Sequence, residues 1–138
     1  MNELVGELTR MRALVVEDDP VDAARCIALL KKLGTAEIET VPTVAAALLH
    51  LDDVIDGSRP APDLVVLDLA FPMESGFEVL RRWRAHPKLR DIRIIVWTAM
   101  GETEQRLSEY FGVQKVVPKW AGPKELEQAV KAFAAGCS

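Results

Sequence analysis

Residues 63–69 read Asp-Leu-Val-Val-Leu-Asp-Leu, and this stretch decides the class of fold. The apolar run from Leu64 to Leu67 is too short for a helix, and it lacks the alternation of a strand with one solvent-facing side. Such a run is typical of a strand that is buried on both faces of a parallel sheet. Asp68 follows the run directly, which places a carboxylate at the carboxyl end of the predicted strand.

Similar apolar runs recur along the chain. Ala13–Val16 and Ile94–Trp97 have the same continuous hydrophobicity, whereas Ile38–Val41 and Lys115–Val117 are weaker. The weaker runs fit edge strands, and Pro118 beside the last of them agrees with that position because proline is tolerated mainly at a sheet edge or a strand end.

Segments with helical spacing lie between these runs. Apolar residues recur at i, i+3, i+4 and i+7 in the segments that begin at Val44 and Leu126. Helix starts are predicted at Asp19, Thr43, Ser75 and Pro123. Five strand–helix units predict a parallel sheet with right-handed crossovers and helices on both faces.

The expected fold class is therefore α/β. We expect a flavodoxin-like, doubly wound sheet of five strands in the order 2-1-3-4-5, with five helices and three layers. Residues 12–138 are expected to form this one domain, and residues 1–11 are expected to be an N-terminal extension.

The composition argues against several classes of protein. A net charge of −4 and a pI near 5.2 come without the basic stripe of a nucleic-acid binder. Cys26 and Cys137 have no metal-site spacing, and no apolar run approaches the roughly 20 residues of a membrane span. A cytoplasmic protein is expected. Only His50 and His86 supply imidazoles, and both are expected on helix surfaces, so chemistry should rest on carboxylates, hydroxyls and lysine.

Polar residues stand at the ends of the predicted strands, where open α/β sheets bind ligands. They are Glu17, Asp18, Asp68, Thr98 and Lys119. Neighbouring strands lie about 4.8 Å apart, so the three carboxylates should cluster and repel one another. A divalent cation such as Mg²⁺ would remove that conflict. The lysine and the threonine could pair with an anion at Asp68, and the whole set suits phosphoryl transfer to that residue.

These residues, in this order, resemble the receiver domain of two-component response regulators, the CheY-like family. The resemblance spans about residues 12–135 and also includes Pro72, Gly76 and Ala99. It implies that Asp68 accepts a phosphoryl group from a histidine kinase or a phosphotransfer protein. It also implies that the domain can phosphorylate itself from small donors and hydrolyse its own acyl phosphate, without being a conventional enzyme.

The resemblance assigns the remaining roles. Glu17, Asp18, Asp68 and the backbone carbonyl of Ala70 would hold Mg²⁺ or Mn²⁺. The phosphoryl group and the switch would involve Thr98, Ala99 and Lys119. A stand-alone, single-domain regulator would signal through phosphorylation-dependent protein contacts or a phosphorelay, with its output surface at residues 104–135. A homodimer through the fourth helix is left open.

Four positions depart from the family pattern. Val116 stands where many members carry a switch aromatic, and Trp120 replaces the usual proline after the lysine, so the cis bond typical of the family is not expected there. We read Val116 and Trp120 as candidate partner contacts, with a lid packed on the fifth helix as the other interpretation of Trp120. Neither Ala70 nor Met100 can orient a water molecule by hydrogen bonding, which suggests slow phosphate loss.

Two other functions remain as alternatives. A pseudo-receiver would use the same fold only to bind protein, as Val116 and Trp120 suggest. A flavodoxin-like or hydrolase enzyme fits less well. A flavodoxin-like enzyme would need a phosphate loop after the first strand, and a hydrolase would need a second acid where Ala70 stands.

Overall fold

The computed structural model describes residues 10–99 and 101–135. Most of the predicted N-terminal extension and the rate-tuning candidate Met100 therefore lie outside the described residues. The strands are β1 Arg12–Val16, β2 Glu37–Val41, β3 Leu64–Leu67, β4 Arg93–Thr98 and β5 Lys115–Pro118. The helices are α1 Pro20–Lys32, α2 Val44–Asp56, α3 Phe77–Ala85, α4 Glu102–Tyr110 and α5 Pro123–Ala134. None of these helices could cross a membrane, since the longest has 13 residues.

The five strands form one parallel sheet in the order β2-β1-β3-β4-β5, as the sequence predicted. The register sets Val16 of β1 opposite Leu67 of β3, and Leu67 opposite Val96 of β4. The carboxyl ends of the central strands are therefore level. Whatever follows them in the chain meets at one edge of the sheet.

Helices cover both faces of the sheet, which gives the predicted three layers. On one face α1 and α5 bury Leu30 and Val130 against the strands. On the other face α2 and α3 bury Leu51 and Leu80. The α4 helix lies on this second side, because Phe111 directly after it packs against Phe77 at the start of α3.

Three of the four predicted helix starts are confirmed, including Pro123 at the start of α5, and the start at Ser75 shifts by one residue. The side chains of Asp19 and Thr43 cap α1 and α2 by accepting backbone N–H groups of the first turn. Ser75 was predicted to cap the third helix, but Gly76 occupies that position. The Ser75 hydroxyl oxygen accepts instead from the N–H of Phe77 at 3.2 Å.

The prediction for His50 was wrong, because its side chain is only 7% exposed. It stands three residues after the buried Ala47 and four before the buried Val54, on the face of α2 that meets the sheet. Its Nδ1 lies 3.8 Å from an oxygen of Glu39 on β2. Burial lowers its pKa, and the nearby charge of Arg59 acts in the same direction.

Gly76 allows the segment after β3 to lie close to the start of α3. A Cβ at this position would stand 2.6 Å from the carbonyl oxygen of Asp68 and 2.7 Å from the Cα of Leu69. Both atoms belong to the backbone, so they cannot move aside cheaply. Gly76→Ala is expected to lower the free energy of unfolding by about 1–3 kcal/mol, measured by denaturant titration.

The matched control is Gly101→Ala, where the nearest atom to a new Cβ lies 3.9 Å away. This change should cost less than about 1 kcal/mol. Equal losses from the two substitutions would show that close backbone packing at Gly76 is not the cause.

Candidate functional site

Three carboxylates meet at the ends of β1 and β3. Glu17, Asp18 and Asp68 each offer an oxygen atom, and these atoms lie within 4.8 Å of one another. The register brings them together, since the N–H of Asp68 donates to the carbonyl of Val16 at 3.1 Å. Glu17 and Asp68 are buried and Asp18 is exposed, so the cluster opens to solvent on one side.

Both carboxylate oxygens of Asp68 have fixed partners. Its Oδ1 accepts from the hydroxyl of Thr98 at 2.9 Å and from the N–H of Ala70 at 3.0 Å. Its Oδ2 accepts from Nζ of Lys119 at 3.0 Å. These three contacts come from β4, the segment after β3 and the segment after β5. The side chain therefore has one orientation, set by three parts of the fold.

Lys119 joins the acidic groups to one another. Its Nζ lies 2.8 Å from Oε2 of Glu17, 2.8 Å from Oδ2 of Asp22 and 3.0 Å from Oδ2 of Asp68. Asp22 was not among the predicted site residues. Its signal was present, because an acid in the first turn of α1, just after the Glu17–Asp19 run, faces the same sheet edge.

The pKa values of Glu17 and Lys119 are both raised, but for different reasons. Burial raises the pKa of Glu17 to about 7, and the charge of Asp68 adds to that, although the hydrogen bond from Lys119 acts the other way. Burial favours the neutral form of Lys119, but hydrogen bonds to Asp22, Glu17 and Asp68 outweigh it and raise its pKa. Lys119 is therefore a full positive charge at neutral pH.

The cluster fits a hard divalent cation. Among the described residues, three carboxylates contact the one ammonium group and the carboxylate of Asp18 lies beside two of them, so the negative charge is only partly compensated. The donors are all oxygen, and the exposed Asp18 leaves room for water ligands. This combination suits Mg²⁺ or Mn²⁺ rather than Zn²⁺, which prefers nitrogen and sulfur.

The other predicted residues lie around this cluster. Ala99 follows Thr98 at the end of β4 and is exposed. Val116 is half-buried and packs on the α2–α3 side of the sheet. Trp120 is 80% exposed, which rules out the packed lid that we considered for it. The Lys119–Trp120 bond is trans, since no peptide bond of the described residues is cis.

A match to the response regulator receiver domain family covers residues 13–131. The chain belongs to this family. The receiver domain is 32% identical over 123 residues to the phosphate regulon transcriptional regulatory protein PhoB of Escherichia coli (strain K12), which is 88% of this chain and 50% of PhoB. It thus spans about half the length of the curated relatives that it matches first.

Solved structures resemble the receiver domain in fold. The phosphorylated cyanobacterial phytochrome response regulator RcpA is 26% identical, with a TM-score of 0.73 over 90% of this chain and 91% of its own. The receiver domain of sensor histidine kinase PA1611 from Pseudomonas aeruginosa PAO1 is 25% identical, with a TM-score of 0.72 over 91% and 98%. That structure contains a magnesium ion coordinated in its active site cleft.

Proposed function

We propose that this receiver domain accepts a phosphoryl group on Asp68 from a phosphohistidine of a histidine kinase or a phosphotransfer protein. One observation carries the proposal. The buried carboxylate of Asp68 is held on both oxygens by Thr98, the Ala70 N–H and Lys119, beside further acids that can share a metal ion. A merely structural aspartate would not need a cation, a hydroxyl and neighbouring carboxylates at one strand end.

The proposed reaction is a transfer between two heteroatoms. An oxygen of Asp68 attacks phosphorus, the phosphorus–nitrogen bond of the donor breaks with its electron pair left on the imidazole, and an acyl phosphate forms. Lys119 and Thr98 are placed to stabilise the charge on the phosphoryl oxygens. Mg²⁺ or Mn²⁺, held by Glu17, Asp18, Asp68 and the carbonyl of Ala70, would neutralise further charge.

The test is the mass of the intact chain after incubation with acetyl phosphate and Mg²⁺. One phosphoryl adduct is expected, and a chelator should prevent it because the carboxylate cluster then lacks its counter-ion. Asp68→Asn removes the proposed acceptor and should abolish the adduct. Its matched control is Asp91→Asn, which neutralises an exposed aspartate at the opposite end of the sheet and should leave uptake unchanged. An adduct of equal yield with the chelator present would contradict the metal-dependent mechanism.

The lifetime of the adduct is a second part of the proposal. The side chain of Ala70 stands beside the acceptor and offers no group to orient an attacking water molecule. We therefore expect the phosphoryl form to outlast the acyl phosphates of family members that carry a polar residue there. Decay of the adduct within seconds would contradict this.

Output is proposed to occur through protein contacts in the cytoplasm. Leu107 and Tyr110 leave large apolar side chains exposed on α4, and this face together with β5 and α5 is the proposed output or homodimer surface. Trp120, beside the acceptor site, is the proposed contact with a partner.

The exposed Trp120 also favours a second candidate, a binding module that works without phosphorylation. Absence of an adduct under every condition, combined with partner binding that Trp120→Ala abolishes, would favour that candidate.

A further inference from the structure

Trp97 lies beside the lysine of the acceptor site. It directly precedes Thr98 on β4 and is 6% exposed. The register pairs Trp97 with Val117 on one face of the sheet, and the turn that follows β5 brings Lys119 to the same ring. The ammonium group of Lys119 lies 5.1 Å from the centroid of the indole ring, which is the geometry of a cation–π contact.

The indole nitrogen does not explain why a tryptophan stands here. Buried tryptophans usually donate their N–H group, and Trp83 does so to the carbonyl of Ile92 at 2.9 Å. The buried N–H of Trp97 has no acceptor among the described residues. The contact between its ring and Lys119 is therefore the polar interaction that distinguishes Trp97 from an aliphatic residue.

The contacts of Lys119 with carboxylates and its cation–π contact with Trp97 respond differently to phosphorylation. The ammonium group of Lys119 donates hydrogen bonds to Asp22 and Asp68, and Glu17 lies 2.8 Å away as an ion-pair partner. A phosphoryl oxygen at Asp68 must replace at least one of these acceptors. A cation–π contact depends on the position of the charge and not on any one N–H bond, so it persists while the acceptors exchange.

We propose that Trp97 is a positioning residue for phosphoryl transfer. Its ring holds the ammonium group of Lys119 at the acceptor while the hydrogen bonds pass from carboxylates to phosphoryl oxygens. This inference rests on the proposed function, because it concerns the rate at which Asp68 is phosphorylated.

The test measures the rate of phosphoryl uptake from acetyl phosphate in Mg²⁺ for the wild type, Trp97→Leu and Trp97→Phe. A partly desolvated cation–π contact predicts a loss of about 3- to 10-fold for Trp97→Leu. Trp97→Phe retains a ring with a weaker quadrupole and should lose less. Because phenylalanine replaces one aromatic with another, this variant still informs if Trp97→Leu does not fold.

A double-mutant cycle with Lys119→Met separates positioning from packing. Trp97→Leu should slow uptake in the wild type and have no further effect in Lys119→Met, because the charge that the ring contacts is then missing. The spectroscopic sign of the contact is an upfield NMR shift of the Lys119 ε-methylene protons, which adjoin the nitrogen that lies 5.1 Å from the ring centroid. This shift should shrink in Trp97→Phe and vanish in Trp97→Leu.

Each outcome decides the matter. An uptake rate that Trp97→Leu leaves unchanged, or an equal loss in both backgrounds, would overturn the inference while the proposed function stood. Absence of an adduct on the wild type would defeat the proposed function and this inference together. A graded loss that disappears with Lys119→Met, accompanied by the NMR shift, is the expected result.

Discussion

Lys119→Met is expected to slow phosphoryl uptake by about 100-fold, the usual effect of removing one preorganised group that stabilises transition-state charge. Lys119 supplies the positive charge that contacts Asp68 in the described part of the chain, and its Nζ is already 3.0 Å from the acceptor carboxylate. Methionine preserves most of the length and the apolar stem of the side chain but removes the charge. Initial rates with acetyl phosphate and saturating Mg²⁺ measure the effect.

The matched control is Lys124→Met on α5, which removes an exposed lysine close in sequence. It should leave the rate within about two-fold of the wild type, because surface charges in water act weakly. Circular dichroism in Mg²⁺ checks that Lys119→Met is folded. A folded Lys119→Met chain with the wild-type rate would remove the lysine from the proposed mechanism.

Without a divalent metal, the stability of the domain is expected to fall as the pH rises from about 4.5 to about 7. The cause is Glu17, whose pKa is about 7 in the folded chain against an ordinary value of 4.5. Between these values the folded state binds more protons than the unfolded state, so stability decreases with pH. The stabilisation from protonated Glu17 is complete below about pH 4.5 and lost once the pH passes 7. We expect the free energy of unfolding to fall by about 1–3 kcal/mol over this range.

Glu17→Gln isolates this contribution from the other titrating groups. The amide is neutral at every pH. The difference in the free energy of unfolding between wild type and variant should therefore change by about 1–3 kcal/mol as the pH rises from about 4.5 to about 7. Glu125→Gln, which alters an exposed acid on α5, should track the wild type. Chemical denaturation in a chelating buffer at each pH measures all three.

Adding Mg²⁺ should stabilise the wild type most at high pH, where Glu17 is ionised and can serve as a ligand. A wild-type stability curve that rises between about pH 4.5 and 7 relative to Glu17→Gln would contradict the assigned cause.

The sheet was predictable because its strands are continuous apolar runs. Residues 64–67 and 94–97 could hardly lie anywhere but between two layers of helices. The strand order then placed Asp18 and Asp68 together, since the ends of neighbouring parallel strands meet at one edge. Strand periodicity alone also sets the face on which Trp97 lies.

What the sequence did not reveal depends on how helices sit on the sheet. The sequence puts Asp22 in the first turn of α1, near the sheet edge, but its contact with Lys119 depends on how α1 packs on the sheet. His50 was misread because a polar residue was taken as solvent-facing, although its spacing from Ala47 and Val54 fits the buried face. The contact of Lys119 with the ring of Trp97 depends on the turn after β5, whose course sequence reasoning did not fix.

Peptide mapping can locate the phosphoryl group within the chain. The wild type is phosphorylated with acetyl phosphate and Mg²⁺, the acyl phosphate is reduced with borodeuteride, and peptide mass spectrometry finds the resulting homoserine. We expect a label at Asp68 alone and no label in Asp68→Asn. A label at Glu17, Asp18 or Asp22, or one that persists in Asp68→Asn, would contradict it.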